Sequence, residues 1–443
     1  MYEVLQDAGW QAAAAAAAAA VAALTVVLLS LKFVRFRAWF PLAGAAVLLA
    51  AGIAGSPTAA IEAVPWRALA LALTMGIIAT AAEEAGWLQL TAVRFYRLTS
   101  ADPRKMLAVS MLLAASASAL LDALTAMAAL LPLMLAFTRA WKITPSPFVI
   151  GMMLACNLGS GLSVAGTMPA RLIGTAGGLG LTDVWFVLGP LHAVLLVLAY
   201  LMIRTVYADK LKLSPARLRE LQAAVSGMAG NRGDVRNPAI ALGLILLGYL
   251  CADLADIDLI WISGAGAALV FQSLIKRAES RKSFAAGFAP LLALTAGWLL
   301  IAGVFVRTGV LDAAAGGLMT LSSGDEQRAV LSVLWMSAAG AALSDGTAWT
   351  AFAVPVVQSL AAQLQEVSPV HTGRLWYVLL SGIHLGANAT SFSSFSSLLA
   401  FGVAAARKNG LSFREYARIG VPFSLFSLTL ASLYLVGFWF GNN

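Results

Sequence analysis

Asn157-Leu-Gly-Ser-Gly-Leu-Ser-Val-Ala-Gly-Thr-Met-Pro169 lies inside an apolar run spanning 146–176, and the run cannot be one continuous helix through it. Three glycines raise the entropic cost of a helix, the proline removes a donor, and three hydroxyls and an amide offer the backbone other partners. At membrane depth such a polar knot survives only where it is buried in protein or lines a wet cavity. A second knot, His384-Leu-Gly-Ala-Asn-Ala-Thr-Ser-Phe-Ser-Ser-Phe-Ser-Ser397, breaks the run at 374–404 without a proline but with many hydroxyls. The surrounding composition sets the solvent. Of the 443 residues 60% are hydrophobic and 11% charged, against about 25% charged in a soluble chain. A soluble enzyme is excluded, and the length accommodates about ten crossings of roughly 20 residues each.

Two further runs, 106–138 and 328–362, are too long for one crossing, and each carries a polar knot, Asp122 to Thr125 and Ser344 to Thr347. Both read as re-entrant helical hairpins. The basic residues test this. With both hairpins non-crossing and the amino terminus outside, 24 of the 29 Lys and Arg fall on the inner side and four outside, leaving Arg171 within a span. That asymmetry is what orientation by positive charge requires, and it places both termini outside the inner membrane of a bacterium. The net charge of +8 is thereby assigned to cytoplasmic loops, with no nucleic-acid partner. Two cysteines, Cys156 and Cys251, support neither a disulfide framework nor a metal cluster.

The halves resemble each other at a fixed offset. Gly86 and Gly309, Leu88 and Leu311, Asp122 and Asp345, and Pro132 and Pro355 are 223 residues apart. After a slip of four, Gly159 and Gly386, and Ser163 and Thr390, are 227 apart. The expected fold is an all-α polytopic membrane protein built as an inverted repeat, each copy holding five transmembrane helices and one hairpin. The first copy spans 1–205, with hairpin 106–138 and broken helix 146–176. A cytoplasmic linker covers 206–236. The second copy spans 237–443, with hairpin 328–362 and broken helix 374–404. Inverted repeats with interrupted helices are the architecture of secondary transporters, whose sites lie at mid-membrane.

Candidate ligands follow from that architecture. Asp122 and Asp345 sit at hairpin tips, where each either caps the returning helix or couples a proton or sodium ion. Thr125 and Thr347 add hydroxyls there. Gly159 and Ser391 belong to the unwound segments, whose carbonyls and hydroxyls can replace the hydration of an ion. His192 and His384 are packing residues or proton relays, since imidazole titrates near neutral pH. Arg171 either snorkels outward or supplies fixed positive charge for an anion.

At these residues the chain resembles the ion transporter superfamily, including arsenite-efflux permeases, D-type sodium–proton antiporters, citrate permeases and divalent anion:sodium symporters. Ser118-Ala-Leu-Leu-Asp-Ala-Leu-Thr125, Asn157 to Gly166, and His384-Leu-Gly-Ala-Asn-Ala-Thr390 carry the resemblance. It implies that Asp122, Thr125, Asn157, Ser163, Asp345, Asn388 and Thr390 are ion and substrate ligands. Where such permeases look like Asp-Asn-x-Thr, this chain has Ala123, and their Gly-Asp-Pro-Pro-Asn element is reduced to Gly166-Thr-Met-Pro-Ala170. The missing acid and the added Arg171 tilt the reading toward an anion.

The expected function is a secondary active transporter, not an enzyme, moving a small inorganic or carboxylate anion with H⁺ or Na⁺ by alternating access. A Na⁺/H⁺ antiporter is the alternative. No cofactor is expected beyond Na⁺ as an alternative coupling ion. The partners are the small ion or anion and the bilayer, with a homodimer left open.

Overall fold

The computed structural model describes residues 39–52, 102–121, 123–140, 142–164, 166–211, 259–276, 295–367, 373–405 and 411–440, with isolated positions between them. The expected spans at 11–31, 66–85 and 238–254, the linker beyond residue 211, and Gly86, Leu88 and Asp122 lie largely or wholly outside the described residues.

Every described element is a helix. Outside the two copies of the knotted region stand α1 (Phe40–Ala50), α7 (Leu259–Lys276), α8 (Thr295–Arg307) and α9 (Val310–Ser322). The first copy contains α2 (Pro103–Leu120), α3 (Ala123–Ala140), α4 (Ser146–Ser160), α5 (Met168–Gly177) and α6 (Leu181–Val206). The second repeats the order as α10 (Glu326–Leu343), α11 (Gly346–Val367), α12 (Gly373–Gly386), α13 (Phe395–Ala405) and α14 (Phe413–Phe440).

An aspartate cap sets the start of the first arm in both copies. Asp102 caps α2 by accepting from Arg104 N, and Asp325, 223 residues later, caps α10 by accepting from Arg328 N. Both arms end at a leucine, Leu120 and Leu343, and the chain returns as α3 and α11. Each returning helix then donates its first N–H to the neighbouring knot. Ala123 N bonds to Gly166 O at 3.3 Å and Gly346 N to Ser393 O at 3.0 Å. Donors and acceptors differ by the offsets of 223 and 227 read from the sequence.

The broken helices pack on the first arms, α4 along α2 and α12 along α10. Gly159 lies against the Ala115 carbonyl and Gly386 against the Ala338 carbonyl, so closely that a Cβ at either position would collide with backbone. Ser118 Oγ bonds to Cys156 O across the first of these seams, at 2.9 Å.

At about 1.5 Å per residue, α6 and α14 measure roughly 39 and 42 Å, longer than a hydrocarbon core of about 30 Å. They are the two described helices that are individually long and apolar enough to cross. Tyr207 at the end of α6 bonds to Glu415 near the start of α14 at 2.9 Å, while Tyr434 bonds back to Val187 O at 2.8 Å. These paired ends make α6 and α14 antiparallel. The corresponding last helices of the two copies therefore run in opposite directions.

The sequence reading placed no element between 306 and 328, yet α9 fills it. It joins α8 through a 73° bend at Gly309, whose φ of 70° lies in the left-handed region. Asp312 and the pair Gly316-Gly317 dilute its hydrophobic signal.

Candidate functional site

The knots leave backbone groups without helical partners, and side chains take their place. Thr167, extended at φ −138° and ψ 165°, caps α5 by accepting from Ala170 N, with Pro169 in the first turn where its missing N–H costs nothing. In the second knot hydroxyls do this work. Thr390 Oγ1 bonds to Ala342 O, Ser393 Oγ to the carbonyls of Ala387 and Thr390, and Ser394 Oγ accepts from Ser397 N. Two dissimilar sequences thus end and restart a helix at matched positions.

The knots also meet each other. Asn157, 2% exposed, donates from Nδ2 to Asn388 Oδ1 at 3.1 Å and to Ala387 O at 3.3 Å. Asn388 is fully buried, and its carbonyl accepts from Tyr416 of α14 at 3.0 Å. Around this junction α13 rests on α3 and α11 on α5, so each copy's restarted helix lies against the other copy's returning arm.

A cavity of about 50 Å³ lies at the junction. At about 10–15 Å³ per water-sized position it has room for roughly three to five waters, a space comparable to one carboxylate group. Its wall is built from the first turns of four helices: Ala123 and Leu124 of α3, Thr167 to Pro169 of α5, Asp345 to Thr347 of α11, and Ser394 and Ser396 of α13. Asn157 and Ser160 at the end of α4, and Ile383, His384 and Ala387 at the end of α12, complete it with Ser393. Four helix amino ends, each equivalent to about half a positive charge, face two carboxyl ends of opposite sign.

Asp345 Oδ1 accepts from Thr347 N at 2.9 Å and Ala348 N at 3.2 Å, so this carboxylate does cap α11 while it faces the cavity. His384 bonds through Nδ1 to Leu380 O at 2.8 Å and through Nε2 to Thr167 Oγ1 at 2.9 Å. A carbonyl only accepts, so Nδ1 carries the hydrogen, and in the neutral ring Nε2 takes the Thr167 hydroxyl hydrogen. Nε2 is the atom where a proton would arrive.

Of the residues singled out in the sequence, Asn157, Asp345, Thr347 and His384 line this cavity, and Asn388 is bonded to its wall. Thr125 is buried on α3 one residue past the wall, and Ser163 and Ser391 are buried in the knots away from it. Gly159 and Thr390 hold the knots to the first arms of the hairpins. Asp122 is outside the described residues. His192 accompanies the site at one remove. Its Nδ1 bonds to Leu158 O at 2.7 Å, and its ring fills the space left by Gly161, where a Cβ would also approach His384 Cβ.

Arg171 is 0% exposed, which removes the expectation that it snorkels outward, and it is not among the residues of the cavity wall. It follows Pro169 on α5 by two residues, about 200° around the helix from that wall residue.

Sequence reasoning missed Thr167, Ser160, Ser393, Ser394 and Ser396 as wall residues. The helix-capping pattern Thr-Met-Pro was the available signal for the first. A serine-rich stretch gives no means of choosing among its members.

Residues 24–382 match the family described as citrate transporter. The chain belongs to the citrate transporter family. A 46 kDa membrane protein of Mycobacterium leprae is 25% identical over 84% of this chain and 86% of its own length. A Mycobacterium tuberculosis protein described as a transporter is 25% identical over 88% and 91%. Among solved structures, the Alcanivorax borkumensis YdaH transporter superposes with a TM-score of 0.55 at 16% identity, covering 90% of this chain and 88% of that one. Family membership makes the protein a multi-pass membrane transporter, and the fold shared with the YdaH transporter agrees with the all-helical architecture of the described residues.

Proposed function

We propose that this citrate transporter family member carries a small carboxylate anion together with H⁺ by alternating access, with the cavity between the knots as its binding site. The observation that carries the reading is the convergence of four helix amino ends on one cavity that also contains a carboxylate and an imidazole. At about half a charge per helix end, four amino and two carboxyl ends leave roughly one positive charge. An ionised Asp345 cancels it. Protonating Asp345, or adding a proton at His384 Nε2, restores it. Proton binding and anion binding then strengthen each other, which is the linkage a symporter needs. The antiparallel α6 and α14 support two inverted copies, each able to gate the site from one side.

Proteoliposome uptake of radiolabelled citrate and succinate under an imposed H⁺ gradient tests this. Asp345→Asn keeps an oxygen able to cap α11, so the protein should fold, bind anion with weakened pH dependence, and lose gradient-driven accumulation. Proton-driven accumulation persisting in Asp345→Asn would overturn the coupling role.

A second reading, Na⁺/H⁺ antiport, draws on the same Asp345 and the hydroxyls and carbonyls around it, which can replace sodium's water shell. Sodium-driven proton flux in vesicles without any anion substrate would favour it.

A further inference from the structure

A second cavity of about 480 Å³ shares two wall helices, α5 and α11, with the first. The α5 residues that line the small cavity end at Pro169, and those that line the large one begin at Leu172. On α11 the walls change over between Thr347 and Thr350. The third wall is the end of α8, including Gly303 and Arg307. From Thr350 to Gln358 the α11 wall rises about 12 Å, so the cavity leads away from the inter-knot site over two turns of helix.

The lining has the character of a site for an amphipathic anion. Arg307 supplies a positive charge and is solvent-exposed, while Thr350 is fully buried, one turn from Thr347. Gln358 and Thr175 add polar groups, and the remainder, including Leu172, Ala302 and Val354, is apolar. The small cavity admits one carboxylate; the large one has room for the rest of an organic acid.

Resting on the transport function proposed above, we infer that the large cavity is an outer substrate station for small organic carboxylates, with Arg307 recruiting the anion before it moves along α5 and α11 to the inter-knot cavity. Charge complementarity and the two helices shared with the candidate site favour a soluble carboxylate over an anionic lipid headgroup as the occupant.

Concentration-dependent uptake of radiolabelled citrate and succinate into proteoliposomes tests it, using wild type, Arg307→Gln and Arg307→Lys, in vesicles with and without phosphatidylglycerol. For a single recruiting charge, Arg307→Gln should raise KM by about fivefold with Vmax little changed. Arg307→Lys should recover most of the loss, and added salt should shrink the difference. Because Arg307 is exposed, both variants should retain the wild-type melting temperature, and a KM rise without loss of thermal stability separates recruitment from a folding defect. An unchanged KM in Arg307→Gln alongside normal wild-type uptake overturns this inference alone. An effect confined to phosphatidylglycerol vesicles assigns the cavity to lipid and overturns it as well. Wild-type uptake of neither acid overturns it together with the function on which it rests.

Discussion

Removing the amide that joins the two knots should show how much of the site depends on their contact. In Asn157→Ala, Asn388 Oδ1 loses its donor in a fully buried position, whereas Ala387 O keeps the Ser393 hydroxyl that already bonds to it. The loss therefore centres on one unsatisfied oxygen, worth about 1–3 kcal/mol, plus the small void. Asn388→Ala removes the same bond from the other side, along with a 3.4 Å contact to His384 O. The pair should be coupled. One buried hydrogen bond in a membrane protein contributes about 0.6 kcal/mol on average and up to about 1.7, and a side chain-to-side chain bond in a protein-lined junction should fall near the upper part, about 1 kcal/mol. That amounts to about fivefold in the unfolding equilibrium. The assay is a double-mutant cycle on detergent-solubilised protein, with stability measured by denaturant unfolding of wild type, both single variants and the double. Destabilisations that add to within about 0.3–0.5 kcal/mol would show the two residues to be energetically independent and would refute the tie between the copies.

Three further outcomes follow from particular contacts. Gly159→Ala and Gly386→Ala should each destabilise by about 1–3 kcal/mol, because the new Cβ meets the Ala115 or Ala338 carbonyl. Gly437→Ala, with open space around it, should not destabilise, and equal melting temperatures for all three would discredit the seam. Asp345→Asn should leave the unfolding free energy within a few tenths of a kcal/mol of wild type, since Asn and Asp cap comparably; a large drop would mean that the charge itself holds the fold. Burial first, then the hydrogen bond and charge of Glu415, push the Tyr207 phenol above its ordinary value. A raised acid favours the protonated form in the folded state, so its contribution is complete below about pH 10 and is lost as pH climbs past the folded value. Alkaline melting curves should therefore fall less steeply for Tyr207→Phe than for wild type, and identical slopes would contradict this.

Several features were legible because they arise from local chemistry. An Asp beside small residues in an apolar run favours capping a new helix, which is why the returning arms begin at Ala123 and Gly346. Gly159, Gly161, Gly166 and Pro169 likewise stop α4 wherever it sits. The 223- and 227-residue offsets are covalent facts, and they reappear as hydrogen bonds from Ala123 and Gly346 to Gly166 and Ser393. The helix α9 was hidden because glycines and an aspartate cut its average hydropathy, although neighbouring helices still bury one face.

The chain by itself determined where helices start, stop and repeat, since capping, glycine entropy and proline sterics act over a few residues. It did not determine which polar groups would share a cavity. Thr167 and His384 are 217 residues apart and Asn157 and Asn388 are 231 apart; both pairs meet only because each copy's restarted helix packs on the other copy's returning arm. The same packing left Arg171 out of the small cavity's wall and placed Arg307, from α8, in the wall of the larger one. Direction and distance between segments so far apart in sequence are set by how helix faces interlock, and no residue type encodes that alone.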